Sequence, residues 1–363
     1  MTEEELRAAF ARHEVLTPPA GPVRAAIDRV AAVRRRRRQR VRAAGVALAL
    51  VGALGVGIPQ FAPDPARDAT TVAGPVSAAP GEALNVLVLG LDVRWAPEVP
   101  PLADSVQLVH IPADRSRPYL ISLPRDLEVD IPGFHRDKLN AAFAYGAGFD
   151  HHPDRTQGYD LTRRVVADLT GVRVDAGVVL TFSAMRKATD VLGGVEICLP
   201  QQVESVHTRR VYPAGCHRLD GVASLDLLRQ RRGMPDGALD RDRNAQRFAA
   251  GVVRQVAEQG ALTDPVRMSR ILAAITPELT VVGNMSVPDL LRVVPELSSA
   301  DPVGLSLPVV WPEVPSSPTS TGGTGGLRLR ADPQAAPAFL TALREDRLAE
   351  WAAANPGRVT RLR

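Results

Sequence analysis

A run of arginines followed at once by a long uncharged segment is the feature that most constrains this chain. Residues 34–42 hold seven arginines, and Ala43–Ala62 holds no charged residue and consists mostly of Ala, Val, Leu and Gly. Twenty residues at a rise of about 1.5 Å span about 30 Å, the thickness of a bilayer core. Because flanking positive charge stays on the cytoplasmic side, the pattern predicts one transmembrane helix at 43–62 behind a cytoplasmic Arg-rich tail at 1–42.

Three other interpretations of this region stay open. The segment is rich in Ala and Gly and contains Pro59, so a buried core helix is one of them. A cleaved signal peptide is another, although the leader before the apolar segment is far longer than the charged start of such a peptide. The arginine run also suggests nucleic-acid binding, but it lacks interleaved aromatic residues and adjoins an apolar segment.

The excess positive charge is confined to the N-terminal tail. The chain has 44 Lys and Arg against 40 Asp and Glu, whereas residues 1–42 alone hold 11 arginines and 5 acidic residues. The rest of the chain is therefore slightly acidic, which argues against a nucleic-acid partner. Its composition, with 45% hydrophobic and 23% charged residues over the whole chain, is that of a folded globular protein. Residues 63–82, rich in Pro, Ala, Thr and Asp, are predicted to be a linker.

Beyond the linker, apolar segments of strand length and helix length alternate. Leu84–Gly90 is a nearly continuous run of Val and Leu, typical of a buried strand. Further strands are predicted at 105–111, 118–123, 177–182 and 302–310, and helices at 161–169, 183–192, 241–258, 268–275, 287–297 and 333–351. The alternation predicts an α/β fold in which helices cover a sheet.

Two carboxylates lie at junctions between strands and loops. Asp92 follows the first predicted strand, and Asp104 lies twelve residues later where the next strand is predicted to start. Ligands of α/β sheets bind at the carboxyl ends of strands, and two carboxylates there suit a hard divalent cation such as Mg²⁺. The simpler alternative is that both are turn or cap residues.

Basic residues follow the third predicted strand. Arg125 comes directly after Pro124, and its guanidinium has the geometry for bidentate phosphate binding. A surface salt bridge with Asp126 is the simpler alternative. Lys138 lies in a basic segment that is predicted to start a helix.

Three more arginines cluster near the longest predicted helix. Arg229 and Arg231 are two residues apart and share a face if the preceding helix ends before them. Arg241 is predicted to open the long helix, whose N-terminal dipole favours an anion. Arginines beside two carboxylates are the groups that phosphoryl transfer needs, because positioning and charge stabilisation supply most of its catalysis.

Together these motifs resemble those of the LytR-CpsA-Psr family. The resemblance runs from about Leu84 to about Arg347, which defines a catalytic domain at 83–347 and a C-terminal tail at 348–363. The matching motifs, in family order and spacing, are Gly90-x-Asp92-x-Arg94, Asp104-Ser105, Ser122-x-Pro124-Arg125-Asp126, Ile131-Pro132-Gly133, Lys138-Leu139-Asn140-Ala141-Ala142, Asp190-Val191-Leu192-Gly193-Gly194-Val195-Glu196, Leu219-Asp220-Gly221, Arg229-Gln230-Arg231 and Asp240-Arg241-x-Arg243-Asn244.

The resemblance implies an extracellular α-β-α sandwich with an apolar groove for a polyprenyl chain. It implies a Mg²⁺-dependent phosphotransferase at the cell membrane, and it leaves a pyrophosphatase side activity open. Such an enzyme moves a glycopolymer from a polyprenyl-pyrophosphate carrier to peptidoglycan and forms a phosphodiester bond. By motif matching, Asp92 and Asp104 are the metal ligands. The pyrophosphate clamp is Arg125, Arg229, Arg231 and Arg241, and the further substrate-binding positions are Arg94, Asp126 and Lys138.

Two positions depart from the family pattern. Leu102 stands where the family usually has an Arg, and Ala238 stands where it usually has an Asp. Asp236 and Asp240 each lie two residues from Ala238 and are candidates to replace the lost carboxylate. The losses keep a second function open, a non-catalytic paralogue that binds polyprenyl phosphate and regulates assembly of the cell envelope.

The two cysteines allow one disulfide. Cys198 and Cys216 flank a segment of about 18 residues, and an extracellular location permits their oxidation. Closing such a loop would stabilise the fold by about 3 kcal/mol. A pair of free buried cysteines is the alternative.

Overall fold

The structure is a computed structural model that describes residues 81–93, 101–149, 153–260, 264–283, 301–311 and 328–363. The predicted tail at 1–42, the apolar segment at 43–62 and most of the predicted linker lie outside these ranges, as do Arg94 and the predicted helix at 287–297. Within the described ranges, none of the helices combines the length and apolar character that crossing a bilayer requires.

The described residues form fifteen strands. In chain order they are β1 (Leu84–Asp92), β2 (Leu102–Ile111), β3 (Tyr119–Ser122), β4 (Glu128–Val129), β5 (Asp137–Lys138), β6 (Ala176–Thr181), β7 (Val195–Leu199), β8 (Val203–Glu204), β9 (Val211–Tyr212), β10 (Gly215–Leu219), β11 (Leu279–Gly283), β12 (Val303–Ser306), β13 (Val309–Val310), β14 (Arg330–Ala331) and β15 (Val359–Thr360). Seven of them form the central sheet in the order β11-β6-β1-β2-β3-β12-β15.

Eight α-helices accompany the strands in the described part of the chain. They are α1 (Ala141–Ala147), α2 (Arg155–Thr170), α3 (Phe182–Val191), α4 (Gly221–Leu228), α5 (Ala238–Glu258), α6 (Pro265–Ile275), α7 (Ala336–Arg344) and α8 (Leu348–Ala354). Short 3-10 turns at Thr276–Glu278 and Pro356–Arg358 precede β11 and β15.

The central sheet lies between two layers of helices, because successive side chains of a strand point to opposite faces. On β1, Leu87, Leu89 and Leu91 pack in a core with residues of α1, α2, α7 and α8. Val86 and Val88, on the other face, pack near Ala250 of α5. The sheet therefore has the α-β-α arrangement that the sequence predicts.

Strand directions bring one edge of the sheet together. β6 runs parallel to β1, so the ends of both strands, at Thr181 and Asp92, lie at the same edge. β2 runs antiparallel, with Leu102 opposite Asp92, so its beginning lies at that edge too. β3 again runs parallel to β1 and delivers its carboxyl end there.

A hairpin braces the longest helix. Cys198 of β7 lies opposite Cys216 of β10, and the two form a disulfide. The other face of β7 packs against α5 so closely that a Cβ atom at Gly251 would collide with the backbone oxygen of Glu196. The hairpin and the helix therefore form one packed unit.

Several predicted boundaries are wrong. β2 begins at Leu102, so Asp104 lies inside the strand, and Lys138 belongs to β5 instead of starting a helix. The strand expected at 302–310 is two short strands, β12 and β13.

The helix expected at 333–351 is two helices that are separated at Asp346. The backbone of Asp346 has a positive φ of 55°, which a helix cannot continue through. Its carboxylate accepts hydrogen bonds from the backbone N–H of Ala113 and from the ring of His110, both at the end of β2. These contacts hold the break in place.

Candidate functional site

The two predicted metal ligands lie on neighbouring strands at one edge of the sheet. Asp92 ends β1 and is half-buried, whereas Asp104 is buried near the beginning of β2. The ladder between these strands shifts register at Gly90, which lies opposite Ser105. A Cβ atom at Gly90 would lie 3.1 Å from the Cβ of Ser105, so glycine permits the close approach of the two strands.

Arg125 binds one of these carboxylates. Gln107 pairs with Ser122, and continuing this antiparallel register by three residues on each strand brings Asp104 opposite Arg125. The Arg125 guanidinium accordingly forms an ion pair with the Asp104 carboxylate. Its Nε atom also lies 3.4 Å from the carboxylate of Asp126. A buried pair of this kind fixes the geometry of both side chains.

Lys138 extends this charged row. Its Nζ atom donates a 3.0 Å hydrogen bond to the carboxylate of Asp126. Burial raises the pKa of Asp126, but the adjacent charges of Arg125 and Lys138 outweigh burial and hold the pKa below its usual value. Asp126 is therefore a negatively charged link between the two cations.

Arg241 contacts β2, the strand of Asp104, from α5, which lies on the face of the sheet opposite to α1. The helix α5 begins at Ala238, not at Arg241 as predicted, because Gly237 takes a φ of 52° and the Asp240 carboxylate accepts the backbone N–H of Asp236. The backbone N–H of Arg241 is consequently used inside the helix. Its buried guanidinium supplies the positive charge instead, since it donates a 2.8 Å hydrogen bond to the backbone oxygen of Asp104.

Asp242 is a residue that the sequence reasoning missed. It is buried beside Arg241, with 3.1 Å between its carboxylate oxygen and the Arg241 guanidinium. Burial raises the pKa of Asp242 despite that neighbouring cation. Its signal in the sequence was weak, because it lies between two arginines in a helix rich in charge.

The pair Arg229 and Arg231 points into the site, as the sequence predicts. Helix α4 ends at Leu228, immediately before them. Gln230, between them, is fully buried with 0% exposure. Arg229 still has helical φ and ψ angles of −93° and −9°, so the pair does not lie on one side of an extended segment. With Gln230 buried between them, both arginines nevertheless line the cavity.

Arg229 and Arg231 interact electrostatically with the other charged residues of the site. The guanidinium of Arg229 lies 3.7 Å from the carboxylate of Asp92. Partial burial lowers the pKa of Arg231, and the nearby cations Arg125 and Arg241 lower it further. This mutual repulsion means that Arg231 lies in a field that favours an anion between the arginines.

A buried polar network holds this segment, and the sequence reasoning missed it. The Asp226 carboxylate accepts hydrogen bonds from the hydroxyls of Ser205, Thr208 and Tyr212, at 2.7, 2.8 and 2.8 Å. The amide of Gln230 donates to Asp226 and to Ser205 and accepts the backbone N–H of Val206. A charged residue within the apolar sequence of α4 was the available signal.

A cavity of about 1590 Å³ opens beside these groups. Its charged part contains Asp92, Asp104, Arg229, Arg231, Arg241 and Asp242. Its apolar part contains Val88, Leu180, Met185, Leu225, Leu228 and Phe248. Arg125, Asp126 and Lys138 are not among its lining residues and reach it through the contact of Arg125 with Asp104. One cavity thus combines a site for an anion with a wall for an apolar chain.

The chemistry of Asp92 and Asp104 fits a hard divalent cation. Mg²⁺ is commonly held by one or two carboxylates together with phosphate oxygens of the substrate. Among the described residues, no third His, Cys, Asp or Glu joins these two in a compact cluster. Substrate oxygens would therefore have to complete the coordination.

The two candidates for replacing the carboxylate lost at Ala238 do not reach the cavity. Asp236 and Asp240 both form ion pairs with Arg243, at 2.6 and 2.7 Å. Leu102, at the start of β2, pairs with Asp92 in the ladder and brings no positive charge. In the described structure, the acidic residue of α5 that lines the cavity is Asp242.

A family assignment follows from the sequence as a whole. The sequence model of the LytR_cpsA_psr family matches residues 64–308, about two thirds of the chain. The chain belongs to this family. The matched range contains all nine of the predicted substrate and metal residues as well as the cavity.

Characterised relatives match over part of their length. The cell wall biosynthesis protein LcpA of Corynebacterium glutamicum is 28% identical over 239 residues, 61% of this chain and 44% of LcpA. TagT of Bacillus subtilis, a polyisoprenyl-teichoic acid–peptidoglycan teichoic acid transferase, is 29% identical over 164 residues, 43% of this chain and 48% of TagT. The chain therefore spans less than half the length of these two relatives.

Solved structures share the fold. A structure of TagT bound to LI-WTA aligns with a TM-score of 0.56 at 23% identity, over 75% of this chain and 93% of that chain. Bacillus subtilis TagV aligns with a TM-score of 0.58 at 17% identity, over 74% of this chain and 98% of that chain. At these identities the likeness establishes the mixed α/β fold.

Proposed function

We propose that this protein is a membrane-anchored phosphotransferase that moves a glycopolymer from a polyprenyl-pyrophosphate carrier to peptidoglycan. The observation that carries the proposal is the cavity, in which an arginine cluster adjoins a wall of apolar side chains. A lipid carrier with a pyrophosphate head needs both surfaces in one site. Family membership and the names of LcpA and TagT support the same class of reaction.

The arginines bind and orient the pyrophosphate. Arg229, Arg231 and Arg241 line the cavity, and a guanidinium suits the bidentate binding of phosphate oxygens. Arg125 acts from behind Asp104 and keeps this carboxylate in place. The polyprenyl chain lies along the apolar wall, where each buried CH₂ group contributes about 0.8 kcal/mol.

The reaction is a substitution at phosphorus. The oxygen of an acceptor hydroxyl bonds to the phosphorus that carries the glycopolymer, and the bond from that phosphorus to the bridging oxygen of the pyrophosphate breaks. Polyprenyl phosphate leaves with the bond's electron pair, and the arginines stabilise the charge that develops. The hydroxyl proton passes to a carboxylate, for which Asp242 is suited because it lines the cavity and because burial raises its pKa above the usual value.

Asp92 and Asp104 would hold Mg²⁺, which when bound neutralises phosphate charge and strengthens the electrophile. Both carboxylates lie on rigid strands, so the protein positions its two ligand groups before the substrate arrives. The remaining oxygen ligands would come from the substrate and from water.

The cellular setting follows from the N-terminal sequence. The apolar segment at 43–62 and the arginines before it support a single-pass anchor with a cytoplasmic N-terminus. The catalytic domain then lies outside the membrane, where peptidoglycan and lipid carriers are both accessible.

A second candidate function is a paralogue that binds polyprenyl phosphate without turnover and acts in regulation. The observation that favours it is the change of two charged family positions to Leu102 and Ala238, because the two carboxylates nearest Ala238 in sequence, Asp236 and Asp240, are engaged by Arg243. Loss of charge stabilisation in a phosphate site costs a few kcal/mol per group.

The decisive experiment measures release of polyprenyl phosphate by the purified full-length protein in detergent, with and without Mg²⁺. We expect metal-dependent release that Asp92→Ala and Arg231→Ala each lower by at least 100-fold. Arg243→Ala is the matched control, because this arginine lies on α5 but pairs with Asp236 and Asp240 outside the cavity. Tight lipid binding without any release would refute the enzyme and support the paralogue.

A further inference from the structure

Three aromatic rings form a continuous surface on the side of the domain that carries α1. The rings of Phe134 and Tyr145 stack with centroids 4.8 Å apart, and Phe149 meets Tyr145 at 5.7 Å. Phe134 is 50% exposed and Phe149 is 63% exposed. Aromatic residues make up only 4% of the chain, so three touching rings at the surface need a physical reason. Exposed apolar clusters of this kind commonly mark binding sites.

Polar groups frame these rings. The hydroxyl of Tyr145 donates a 3.0 Å hydrogen bond to the Asp137 carboxylate, and it lies 3.0 Å from the ring nitrogen of His135. Arg328 forms a 3.1 Å ion pair with Asp137. A flat apolar face beside carboxylate, imidazole and guanidinium groups matches the two surfaces of a sugar ring, which has apolar C–H faces and a rim of hydroxyls.

The aromatic surface connects directly to the charged site. Asp137 and Lys138 are adjacent in β5, and Asp137 holds Tyr145 while Lys138 binds Asp126. Asp126 contacts Arg125, whose guanidinium binds Asp104 at the cavity. Arg125, Asp126 and Lys138 are not among the lining residues of the cavity. The aromatic surface is therefore linked to the charged site by a chain of side-chain contacts that lies outside the lining of the cavity.

The charges around the rings disfavour insertion into a membrane. Asp130 is 88% exposed, and it and Glu128 each lie within 4 Å of the Arg136 side chain. Burying the exposed carboxylate of Asp130 and the exposed guanidinium of Arg136 in a lipid interface carries a large desolvation cost. A neutral, hydroxyl-rich ligand does not meet this obstacle.

We propose that Phe134, Tyr145 and Phe149 form the binding surface for the saccharide strand of the acceptor. The inference rests on the proposed transferase function and specifies its acceptor side. The two phenylalanines stack against sugar rings, and Asp137 and His135 bind hydroxyl or acetamido groups. A strand held there would extend from the rings past β5 to the cavity, where one hydroxyl meets the phosphorus that Arg229, Arg231 and Arg241 bind.

The first test is direct binding by the full-length protein in detergent. The probe is soluble glycan strand released from peptidoglycan by an endopeptidase, which leaves the muramic acid carboxyl groups in amide linkage to the stem peptides. We expect saturable binding that Phe134→Ala weakens by about five- to tenfold, the loss of one aromatic contact. Phe134→Trp keeps a ring and should restore binding, and Val222→Ala, which removes an apolar side chain that is 60% exposed on α4, should bind as wild type. Equal binding by Phe134→Ala and wild type would overturn the proposal.

The second test separates this inference from the proposed function. Transfer to the same strands is followed with a polyprenyl-pyrophosphate glycan as donor. We expect Phe134→Ala and Phe149→Ala to raise the acceptor KM without lowering kcat at saturation. If wild type releases no polyprenyl phosphate, the transferase itself fails, whereas wild-type transfer with an unchanged acceptor KM in both variants refutes only the saccharide surface. Chemical modification of His135 provides a further check. If phosphatidylglycerol vesicles protect His135 from modification and glycan strands do not, the surface binds the membrane and the proposal is overturned.

Discussion

The amide of Gln230 should be required for both the stability of the domain and its turnover. Gln230→Met keeps the volume of this buried side chain but removes its polar atoms. The amide makes hydrogen bonds of 3.0 Å with the backbone of Val206, 2.9 Å with Ser205 and 2.8 Å with the backbone of Asp226. At about 1 kcal/mol for each bond, the free energy of unfolding should fall by about 3 kcal/mol. The melting temperature should fall by about 6–12 °C.

Turnover should fall as well, because Gln230 sets the directions of Arg229 and Arg231. A misplaced phosphate ligand costs about 100-fold in rate, so we expect a loss of that order in the release of polyprenyl phosphate. The matched control is Gln255→Met, which removes a buried amide with a single 3.3 Å bond to the backbone of Leu192. It should cost about 1 kcal/mol and leave turnover intact. Equal loss of stability in the two variants, or full turnover in Gln230→Met, would refute the positioning role.

Three further predictions concern stability. Asp126 has a lowered pKa, so its stabilising contribution should be present above its unfolded value of 3.8 and be lost as pH falls through the folded value; acid unfolding of wild type and Asp126→Asn should converge below that pH. Replacing Cys198 and Cys216 by Ser should lower the free energy of unfolding by about 3 kcal/mol, and a reductant should destabilise wild type but not this variant. Gly146→Ala would place a Cβ atom 2.6 Å from the backbone oxygen of Gln157, so denaturant unfolding should show a loss of about 1–3 kcal/mol.

The sequence was informative where local rules decide the structure. The apolar run that became β1 follows from pattern and composition, and the structure confirms it. The clustering of Arg229 and Arg231 was predicted on the condition that a helix ends before them, and α4 does end there, but Arg229 keeps helical angles where an extended segment was assumed. The neighbouring positions of Asp92 and Asp104 follow from strand order, since Asp92 ends β1 and Asp104 lies near the beginning of β2, which pairs with it.

Specific side-chain contacts and backbone angles decided the features that the sequence did not reveal. The break between α7 and α8 depends on hydrogen bonds that the Asp346 carboxylate accepts from His110 and Ala113, more than 200 residues away. The start of α5 depends on Gly237 and on a carboxylate that caps the preceding backbone. The Asp226 carboxylate accepts hydrogen bonds from the hydroxyls of Ser205 and Thr208, which belong to a separate loop. None of these partners is specified by the periodicity of its own segment.

The disulfide makes the support of the cavity depend on the redox environment of the chain. Cys198 and Cys216 close the hairpin that packs on α5, and α5 carries both Arg241 and part of the apolar wall. In a reducing cytosol the hairpin would remain unlinked, and its support of the cavity would be weaker. An exported chain would therefore gain this support for its donor pocket only after oxidation outside the cytosol.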